Sequence, residues 1–539
     1  MQVQSSLTFL VLLAPVAFLL AVSAAISQPG INPRRVQRLG SLAAFAGVAI
    51  SVGAVIALVA NGTTVSPTLG AEGLGLSVRL DPLSVTMLVM IALLAVVIVR
   101  YSNTYLDGDA RHGTFLGRLL VTFAGVELLV LAGNLAVLVV AWIATSLALH
   151  QLLTFYRDRR GAVIAARKKL IAARLGDGFL IAAAALLYHH FGTGDLGEIF
   201  TGARDAASVN WSLGSVQIAA AFLAIAAMLK SAQFPTHGWL VEVMETPTPV
   251  SALLHAGILN AGPFLAIRMS WVLDDSRFAT SMLVVVGGFT AIFASVVLLT
   301  QPSVKVALGY SSAAHMGFSL MLCGMGIYPA ALLHLVAHSF YKAHAFLSSG
   351  SAIDEARAAH VRLPRRTGKP VRVAASVGIA VALYALLAVA FGVDVLANPA
   401  LLLIGAILVM GTAQLVAATL DSDGERAVVA RVVAMALGVT IAFFALEGAA
   451  DALLGEAVPH NGSRDAIQLS LMALMVAAFG AVVLLQIVDP ARTPSARRRA
   501  LAVHVRNGFY ANAAFDRLVH ALRVRPTTTT TTTLAGETA

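Results

Sequence analysis

The chain has 539 residues, of which 58% are hydrophobic and only 12% are charged, and its formal net charge is +10. Because soluble domains are about one quarter charged, this composition excludes a protein whose main solvent is water. The single cysteine, Cys323, excludes a disulfide framework and a cysteine-based metal cluster. The sequence contains no recognisable motif for a nucleotide, a flavin or an iron–sulfur cluster.

Apolar runs of about 20 residues, long enough to cross a hydrocarbon core of about 30 Å, recur along the whole chain. They predict an all-α, polytopic membrane protein with about fifteen transmembrane helices. The predicted spans are 7–26, 38–60, 81–100, 114–133, 134–156, 168–191, 213–234, 248–273, 279–300, 303–327, 329–352, 371–393, 398–420, 428–448 and 465–489. The first run has no basic segment before it and a second run follows closely, so we interpret it as a retained span and not as a signal peptide.

The distribution of charge predicts the topology. With the N-terminus outside, most basic residues fall in inside loops or in the C-terminal segment, as the positive-inside rule requires. They are Arg34, Arg35, Arg38, Arg157, Arg159, Arg160, Arg167, Lys168, Lys169, Arg357, Arg362, Arg365, Arg366, Lys369, Arg372, Arg492, Arg497, Arg498 and Arg499. The outside loops carry Asp195, Glu198, Asp274, Asp275, Asp451 and Glu456. We therefore predict a cytoplasmic C-terminus, and we attribute the positive charge to topology and not to nucleic-acid binding.

Lysine is rare in this chain, and half of the lysines lie in apolar runs. Lys230, Lys305 and Lys342 fall within or at the ends of predicted spans, where a charge costs roughly 2.5–3.5 kcal/mol or more. A desolvated lysine can release its proton near neutral pH, whereas an arginine stays protonated. These lysines therefore indicate an ion relay, and the alternative is a side chain that snorkels from a helix end to the membrane surface.

Histidines show the same pattern. The predicted spans contain His150, His255, His315, His334, His338 and His344. His334, His338 and Lys342 are spaced i, i+4 and i+8, so they share one helix face. Because imidazole titrates near pH 6.5, such a column can pass a proton along a helix. The alternatives are packed, hydrogen-bonded core histidines or a zinc site, although no third ligand lies nearby in sequence.

Two acidic residues also lie inside predicted spans. Glu127 is near the middle of the fourth span, and Asp177 follows Arg174 by three residues in the sixth. A carboxylate next to a buried lysine would lower the cost of both charges and set the affinity of the lysine for its proton. Arg174 and Asp177 can instead form a structural pair on one helix face.

The segment that follows Lys230 contains three prolines within fifteen positions, including Pro235 and Pro247. Because proline removes a backbone donor, it predicts a broken helix near Pro235. A membrane tolerates a broken helix only where it is buried in protein or lines a wet cavity. A titratable lysine immediately before such a break is what an ion pathway through a discontinuous helix requires.

These segments carry a family resemblance. KSAQFPTHGWLVEVMETPTPVSALLHAG (230–257) resembles the seventh- and eighth-helix signature of the large antiporter-like subunits of NADH–quinone oxidoreductase and of Mrp-type Na+/H+ antiporters. The same family is resembled by LDPLSVTML (80–88), KKLIAARLGDGF (168–179), KVALGYSSAAHMGF (305–318) and HLVAHSFYKAHAFLSSGS (334–351). The resemblance implies that H+ or Na+ is translocated and that the relay residues are Lys230, His255, His334, His338 and Lys342.

The resemblance also implies a domain organisation. Two inverted five-helix repeats, 114–273 and 279–420, would lie between N-terminal transmembrane helices, 1–113, and C-terminal transmembrane helices, 421–489. The remaining residues, 490–539, form a basic cytoplasmic segment and a threonine-rich, low-complexity tail. Arginines on several faces of this segment, with scattered apolar residues, indicate that it lies along the cytoplasmic membrane surface.

Two positions depart from the respiratory members of the family. Their fifth helix carries a Trp-Glu pair whose acid partners the seventh-helix lysine, whereas here Trp142 is followed by Ile143. Glu127, on the preceding span, is a candidate substitute for that acid. The twelfth span, 371–393, also lacks the central lysine of the family. We therefore do not expect a complete respiratory pumping subunit.

Other segments are similar to the membrane subunits of DAB-type inorganic-carbon pumps. They are AWIATSLALHQLL (141–153), FYRDRRGAVIAARKK (155–169), LLHAGILNAGPFLAIR (253–268) and HVRNGFYANAAFDRLV (504–519). This resemblance implies a DabA-like peripheral partner that contains zinc, resembles β-carbonic anhydrase and hydrates CO2 to bicarbonate. A cation gradient through the present chain would make that hydration one-way.

We therefore expect a transporter subunit of the bacterial inner membrane that holds no cofactor and is not an enzyme by itself. Zinc is expected only in the partner subunit. The first alternative is an H+- or Na+-translocating subunit of an NADH–quinone oxidoreductase-like or Mrp-type complex. The second alternative is a self-sufficient solute carrier, which would need its own substrate pocket.

Overall fold

The structure is a computed structural model, and it describes residues 6–207, 214–351, 369–393, 399–421, 426–459, 465–488 and 496–519. Several predicted features lie outside these ranges. They are the inside-loop residues Arg357, Arg362, Arg365, Arg366 and Arg492 and the threonine-rich tail.

Helices make up nearly all of the described chain. The first group comprises α1 (Leu13–Ser27, after a 3-10 turn at Thr8–Leu12), α2 (Arg34–Asn61), α3 (Pro82–Tyr105), α4 (His112–Val130), α5 (Leu135–Leu153), α6 (Arg160–Phe191), α7 (Leu196–Ala207) and α8 (Gly214–Lys230). Next come α9 (Gly238–Glu242), α10 (Thr248–Ala256), α11 (Ala261–Arg268), α12 (Ser270–Leu273), α13 (Arg277–Leu298), α14 (Val304–Gly324) and α15 (Tyr328–Leu347). The last are α16 (Pro370–Ala390), α17 (Pro399–Leu420), α18 (Arg426–Leu454), α19 (Ala466–Val488), α20 (Ala496–Arg506) and α21 (Ala511–Val519).

The prediction of a helical, multi-pass membrane protein is confirmed. In the described part of the chain, twelve helical segments are long and apolar enough to cross a membrane. Each of the predicted spans overlaps at least one helix. Exposed leucine, isoleucine, valine and phenylalanine side chains cover the outer faces of these helices, as expected where lipid and not water is the solvent.

One loop departs from the all-α prediction. Four short strands lie between α2 and α3: β1 (Thr64–Val65), β2 (Leu69–Ala71), β3 (Leu74–Leu76) and β4 (Arg79–Leu80). β1 pairs with β4 and β2 pairs with β3, both antiparallel. Because Gly73 in the turn between β2 and β3 has φ +71°, a conformation that glycine adopts without strain, the hairpin closes tightly. Among the described residues, the all-α prediction is therefore wrong for this small loop alone.

Two interruptions divide the central helices. The first separates α8 from α9, and it contains Ala232 with φ +52° and the cis peptide bond between Phe234 and Pro235. The predicted break near Pro235 falls in this interval. The second interruption is a 3-10 turn, Ile258–Asn260, between α10 and α11. The single predicted span 248–273 is therefore divided, because the backbone departs from helical geometry at Gly257 (φ −121°, ψ −65°).

The start of α6 also corrects the sequence-based topology. The predicted span began at residue 168, but the helix begins eight residues earlier, because the alanine-rich stretch before it favours a helix. Lys168 and Lys169 are therefore buried helical residues, 0% and 4% exposed, and not part of a solvated loop. Each ammonium group has polar partners supplied by other elements.

Glycines allow α13 and α14 to pack very closely. A Cβ added at Gly287 would lie 2.6 Å from the carbonyl oxygen of Gly317, and one added at Gly317 would lie 2.5 Å from the carbonyl oxygen of Gly287. At Gly324 the carbonyl oxygen of Thr280 would be 2.6 Å away. Such contacts are typical of membrane helices whose backbones touch at small residues. This contact fixes α14, which contributes residues to the candidate site.

Candidate ion-translocation site

Lys230 lies at the end of α8, immediately before the first interruption. Its side chain is buried, and its Nζ donates a hydrogen bond of 3.3 Å to the carbonyl oxygen of Trp142 on α5. The same Nζ lies 4.2 Å from the centroid of the Trp142 ring, a cation–π distance. Trp142 thus contacts the lysine in two ways, whereas the isoleucine that follows it cannot pair with a charge.

Three charged residues of α6 lie beside Lys230. Arg174 and Asp177 form an ion pair of 2.6 Å, which is the structural pair that the sequence allowed as an alternative. Lys169 donates hydrogen bonds of 2.6 Å and 2.9 Å to the carbonyl oxygen and Oγ of Ser146. The charges of Asp177 and Arg174 act on Lys230. These four residues, Lys169, Arg174, Asp177 and Lys230, form the first cluster, which contains three cationic side chains and one carboxylate.

A small cavity separates the two lysines of this cluster. It has a volume of about 10 Å³ and is lined by Lys169, Lys230, Leu149, Trp239 and Leu259, among other residues. This is close to the smallest volume that holds one water molecule. The side chains of Lys169 and Lys230 therefore border a common space.

The second cluster contains the predicted histidine column and one further histidine. On α15, the ring centroids of His334 and His338 are 6.2 Å apart. His315 of α14 lies between them: its Nδ1 is 3.1 Å from Nε2 of His334, and its centroid is 4.9 Å from that of His338. The sequence placed His315 in a span, but only helix packing shows that it joins the column. Among the described residues, no three His, Cys, Asp or Glu side chains, these histidines included, are placed so that they could hold a metal ion.

Lys342 and His255 extend this cluster towards α10. Lys342 is fully buried, and its Nζ donates a hydrogen bond of 3.2 Å to the carbonyl oxygen of Leu308 on α14. His255 stacks on Phe346 with centroids 4.3 Å apart, and the charge of Lys342 acts on it. Neither ring nitrogen of His255 has a hydrogen-bond partner in the described structure.

Hydrogen-bonded hydroxyl and amide groups lie between the two clusters. Ser231, the residue after Lys230, donates a hydrogen bond of 2.8 Å to the carbonyl oxygen of Leu259. The next residue, Asn260, donates through Nδ2 to Oγ of Ser339 at 2.7 Å. Ser339 precedes the α15 turn that carries Lys342 and directly follows His338. These polar contacts therefore lie at both helix interruptions, but they do not form a continuous chain, because Ser231 donates to a backbone carbonyl group and neither ring nitrogen of His338 has a hydrogen-bond partner among the described residues. None of these uncharged residues was predicted from the sequence.

The other predicted residues lie at the edges of this arrangement. Lys305 is half-buried in the first turn of α14 and donates to Oγ1 of Thr248 at 3.2 Å, directly after Pro247. The Glu127 carboxylate is fully buried, faces Gly47 of α2, and makes no hydrogen bond within the described part of the chain. Among the described residues, no ion pair joins Glu127 to Lys230. The role of Glu127 as a substitute acid stays a prediction.

A separate network lies at the other end of the first interruption. Lys168 forms ion pairs with Glu242 of α9, at 2.5 Å, and with Asp516 of α21. It also donates to Oδ1 of Asn512 at 3.3 Å. The sequence placed Lys168 in a basic loop and did not identify its acidic partners, because they lie 74 or more positions away in the chain.

Comparison with known proteins identifies the family of this chain. The family described as "NADH:quinone oxidoreductase/Mrp antiporter, TM" matches residues 132–421, and "NADH-Ubiquinone oxidoreductase (complex I), chain 5 N-terminus" matches residues 69–116. The first match covers more than half of the chain, and the residues of both clusters lie within the matched range. The protein belongs to this antiporter-like family.

Within that family the similarity extends to proteins named for inorganic carbon. The chain is 38% identical to the probable inorganic carbon transporter subunit DabB2 of Halothiobacillus neapolitanus, over 83% of this chain and 80% of that protein. It is 44% identical to the probable inorganic carbon transporter subunit DabB of Hydrogenovibrio crunogenus, over 51% of this chain and 53% of that protein. The predicted resemblance to both groups is confirmed, since NADH-quinone oxidoreductase subunit L of Rhodobacter capsulatus is 34% identical over 53% of this chain and 42% of that protein.

Two solved structures share the fold. An Mrp complex from a Dietzia species has a TM-score of 0.56 and 24% sequence identity, covering 95% of this chain and 57% of that chain. The membrane-bound sulfane sulfur reductase, an archaeal respiratory membrane complex, has a TM-score of 0.59 and 16% identity, covering 97% of both chains. At these identities the likeness concerns the fold alone.

Proposed function

We propose that this chain is the cation-translocating membrane subunit of an energy-coupled complex that accumulates inorganic carbon. The observation that carries the proposal is the pair of buried titratable clusters on either side of two helix interruptions, in a chain similar to DabB2 over most of its length. Buried lysines and histidines in a membrane are costly, and they mark ion pathways. The cation is H+ or Na+.

The contacts suggest a route for a proton. Lys230 exchanges its proton with Lys169, which lines the same small cavity. The hydrogen-bonded groups of Ser231, Asn260 and Ser339 lie between this position and His338, the residue before Ser339, and a hydroxyl group can both donate and accept a hydrogen bond. His338 contacts the His315–His334 pair, and the charge of Lys342 acts on it. A positive charge on one of these groups disfavours a positive charge on its neighbours. A proton that arrives at one group therefore favours release from the next.

Within this proposal the chain has about fifteen spans and two inverted five-helix repeats, with its N-terminus outside and its C-terminus in the cytoplasm of a bacterial cell. The partner is a peripheral, zinc-containing subunit that resembles carbonic anhydrase and hydrates CO2. The support for a partner is that the similar DabB proteins are named as subunits of an inorganic carbon transporter.

A second candidate function is an H+- or Na+-translocating subunit of an NADH–quinone oxidoreductase-like or Mrp-type complex. The similarity to subunit L of Rhodobacter capsulatus over half of the chain favours it. Both candidates use the same buried residues and differ in the partner that couples to them. The test must therefore include the partner.

The experiment is growth rescue of a carbonic-anhydrase-deficient bacterium in ambient air, with this chain expressed together with its adjacent-gene partner. We expect rescue by the wild type and loss of rescue with Lys230→Ala. Lys230→Arg should also fail, because arginine keeps the charge but cannot release a proton. The control is Gln217→Ala, on the exposed face of the same helix, which should rescue fully.

Each outcome separates the candidates. Rescue that survives Lys230→Ala would keep the carbon role and remove this lysine from the mechanism. Absence of rescue by a well-expressed wild type would favour the respiratory or antiporter function. Membrane levels of every variant are measured by immunoblot so that loss of protein is not mistaken for loss of transport.

A further inference from the structure

The C-terminal segment is docked onto the protein and does not merely lie on the membrane surface. α20 and α21 are joined by a 3-10 turn, Gly508–Tyr510, whose first residue lies against Tyr310 of α14. Nε2 of Gln301, in the loop before α14, donates a hydrogen bond of 3.0 Å to the carbonyl oxygen of Arg506. The C-terminal segment therefore contacts α14 and the loop before it, both in the second half of the chain.

The main anchor of this segment is Lys168. Its side chain is completely buried, and its ammonium group is paired with two carboxylates, Glu242 and Asp516, which are 29% and 13% exposed. Asn512 supports both charges, since its Oδ1 accepts from Lys168 while its Nδ2 donates to Glu242. A buried ammonium group requires such compensation, and removal of one partner leaves an uncompensated charge.

Two elements of this network, α6 and α9, also line the cavity at Lys230, through Lys169 and Trp239. Lys168 belongs to α6, one residue before Lys169 of the first cluster. Glu242 closes α9, the short helix that follows the interruption after Lys230. α9 also touches the C-terminal segment directly, because a Cβ at Gly238 would lie only 1.7 Å from Oδ1 of Asn512. The network thus joins two elements that both border the first cluster.

We propose that Asp516 and Asn512 are positioning residues for ion translocation: they hold Glu242 and Lys168 together and thereby keep α9 docked on α6 beside Lys230. This inference rests on the proposed translocation function. Neither residue contacts the translocated ion. Their effect passes through the position of α9.

The test compares Asp516→Asn with Arg517→Gln, a neighbouring exposed residue, in the full-length chain. Hydrogen–deuterium exchange is measured for peptides that cover 238–245 and 511–519, and H+ and Na+ uptake is measured in proteoliposomes that contain the chain and its adjacent-gene partner. In Asp516→Asn we expect exchange to rise about tenfold or more in both peptides, because the substitution removes a charge-assisted contact that holds α9 and α21 against α6. Uptake should fall by a similar factor, and Asp516→Glu, which keeps the charge, should restore both.

Several results would overturn the proposal. Faster exchange in 511–519 alone, with 238–245 unchanged, would show that Asp516 anchors only its own helix. Faster exchange in both peptides with normal uptake would show that the position of α9 does not affect translocation. If the wild type itself does not translocate ions while Asp516→Asn still loosens both peptides, the translocation function fails and the docking contact stands.

Discussion

Replacing Ser339 by alanine tests whether ions pass between the two clusters. Ser339 is fully buried, donates to the carbonyl oxygen of Leu335 at 2.6 Å within its own helix, and accepts the cross-helix bond from Asn260 at 2.7 Å. The matched control is Ser376→Ala on α16. Ser376 is also fully buried and donates to the carbonyl oxygen of Arg372 at 2.8 Å in its own helix.

The two substitutions remove the same intrahelical bond, so the difference between them is the Asn260 contact. One such contact contributes about 1 kcal/mol to stability. We therefore expect the unfolding free energy of the Ser339 variant to be about 1 kcal/mol below that of the control. The loss of a hydroxyl in a proton route raises its barrier by a similar amount, which slows uptake by about fivefold.

The assay is H+ uptake in proteoliposomes together with thermal unfolding in detergent. A slowed Ser339 variant beside a normal control would support the route through both helix interruptions. If the two variants take up protons equally fast, although both are folded, the hydrogen bond between α15 and the second interruption is not part of the pathway. Equal slowing of both would show that uptake responds to stability alone.

Two further predictions concern other parts of the structure. His315→Gln should reduce H+ uptake about tenfold, because it removes the ring that contacts both histidines of α15. The control is His344→Gln, on the exposed face of that helix, which should leave uptake unchanged. Equal uptake by both variants would remove His315 from the route. Burial alone would raise the pKa of Asp81, but the guanidinium groups of Arg268 and Arg79 outweigh it and hold the pKa below its ordinary value. The stabilisation that Asp81 gains from these two arginines is therefore fully present above about pH 4 and is lost as the pH falls below that value. Acid should consequently lower the melting temperature of the wild type more than that of Asp81→Asn.

Hydrophobic patterning made the helical membrane fold predictable. Runs of about 20 apolar residues can satisfy their backbone groups in lipid only as helices, so the spans follow from the sequence alone. The same reasoning makes Lys230, Lys342 and the histidines of α15 conspicuous, because each ionisable group in such a run needs a reason to be there. The break near Pro235 was predictable because proline cannot donate a backbone hydrogen bond.

Tertiary packing decided which of these groups meet. His315 and His334 are on different helices, and Asn260 and Ser339 carry no charge that would mark them in the sequence. The sequence around Lys168 is typical of a basic inside loop. In the structure, however, Lys168 is buried and paired with carboxylates from distant parts of the chain. Sequence patterns report the solvent preference of each residue, whereas the pairing of distant polar groups depends on helix packing that no local pattern contains.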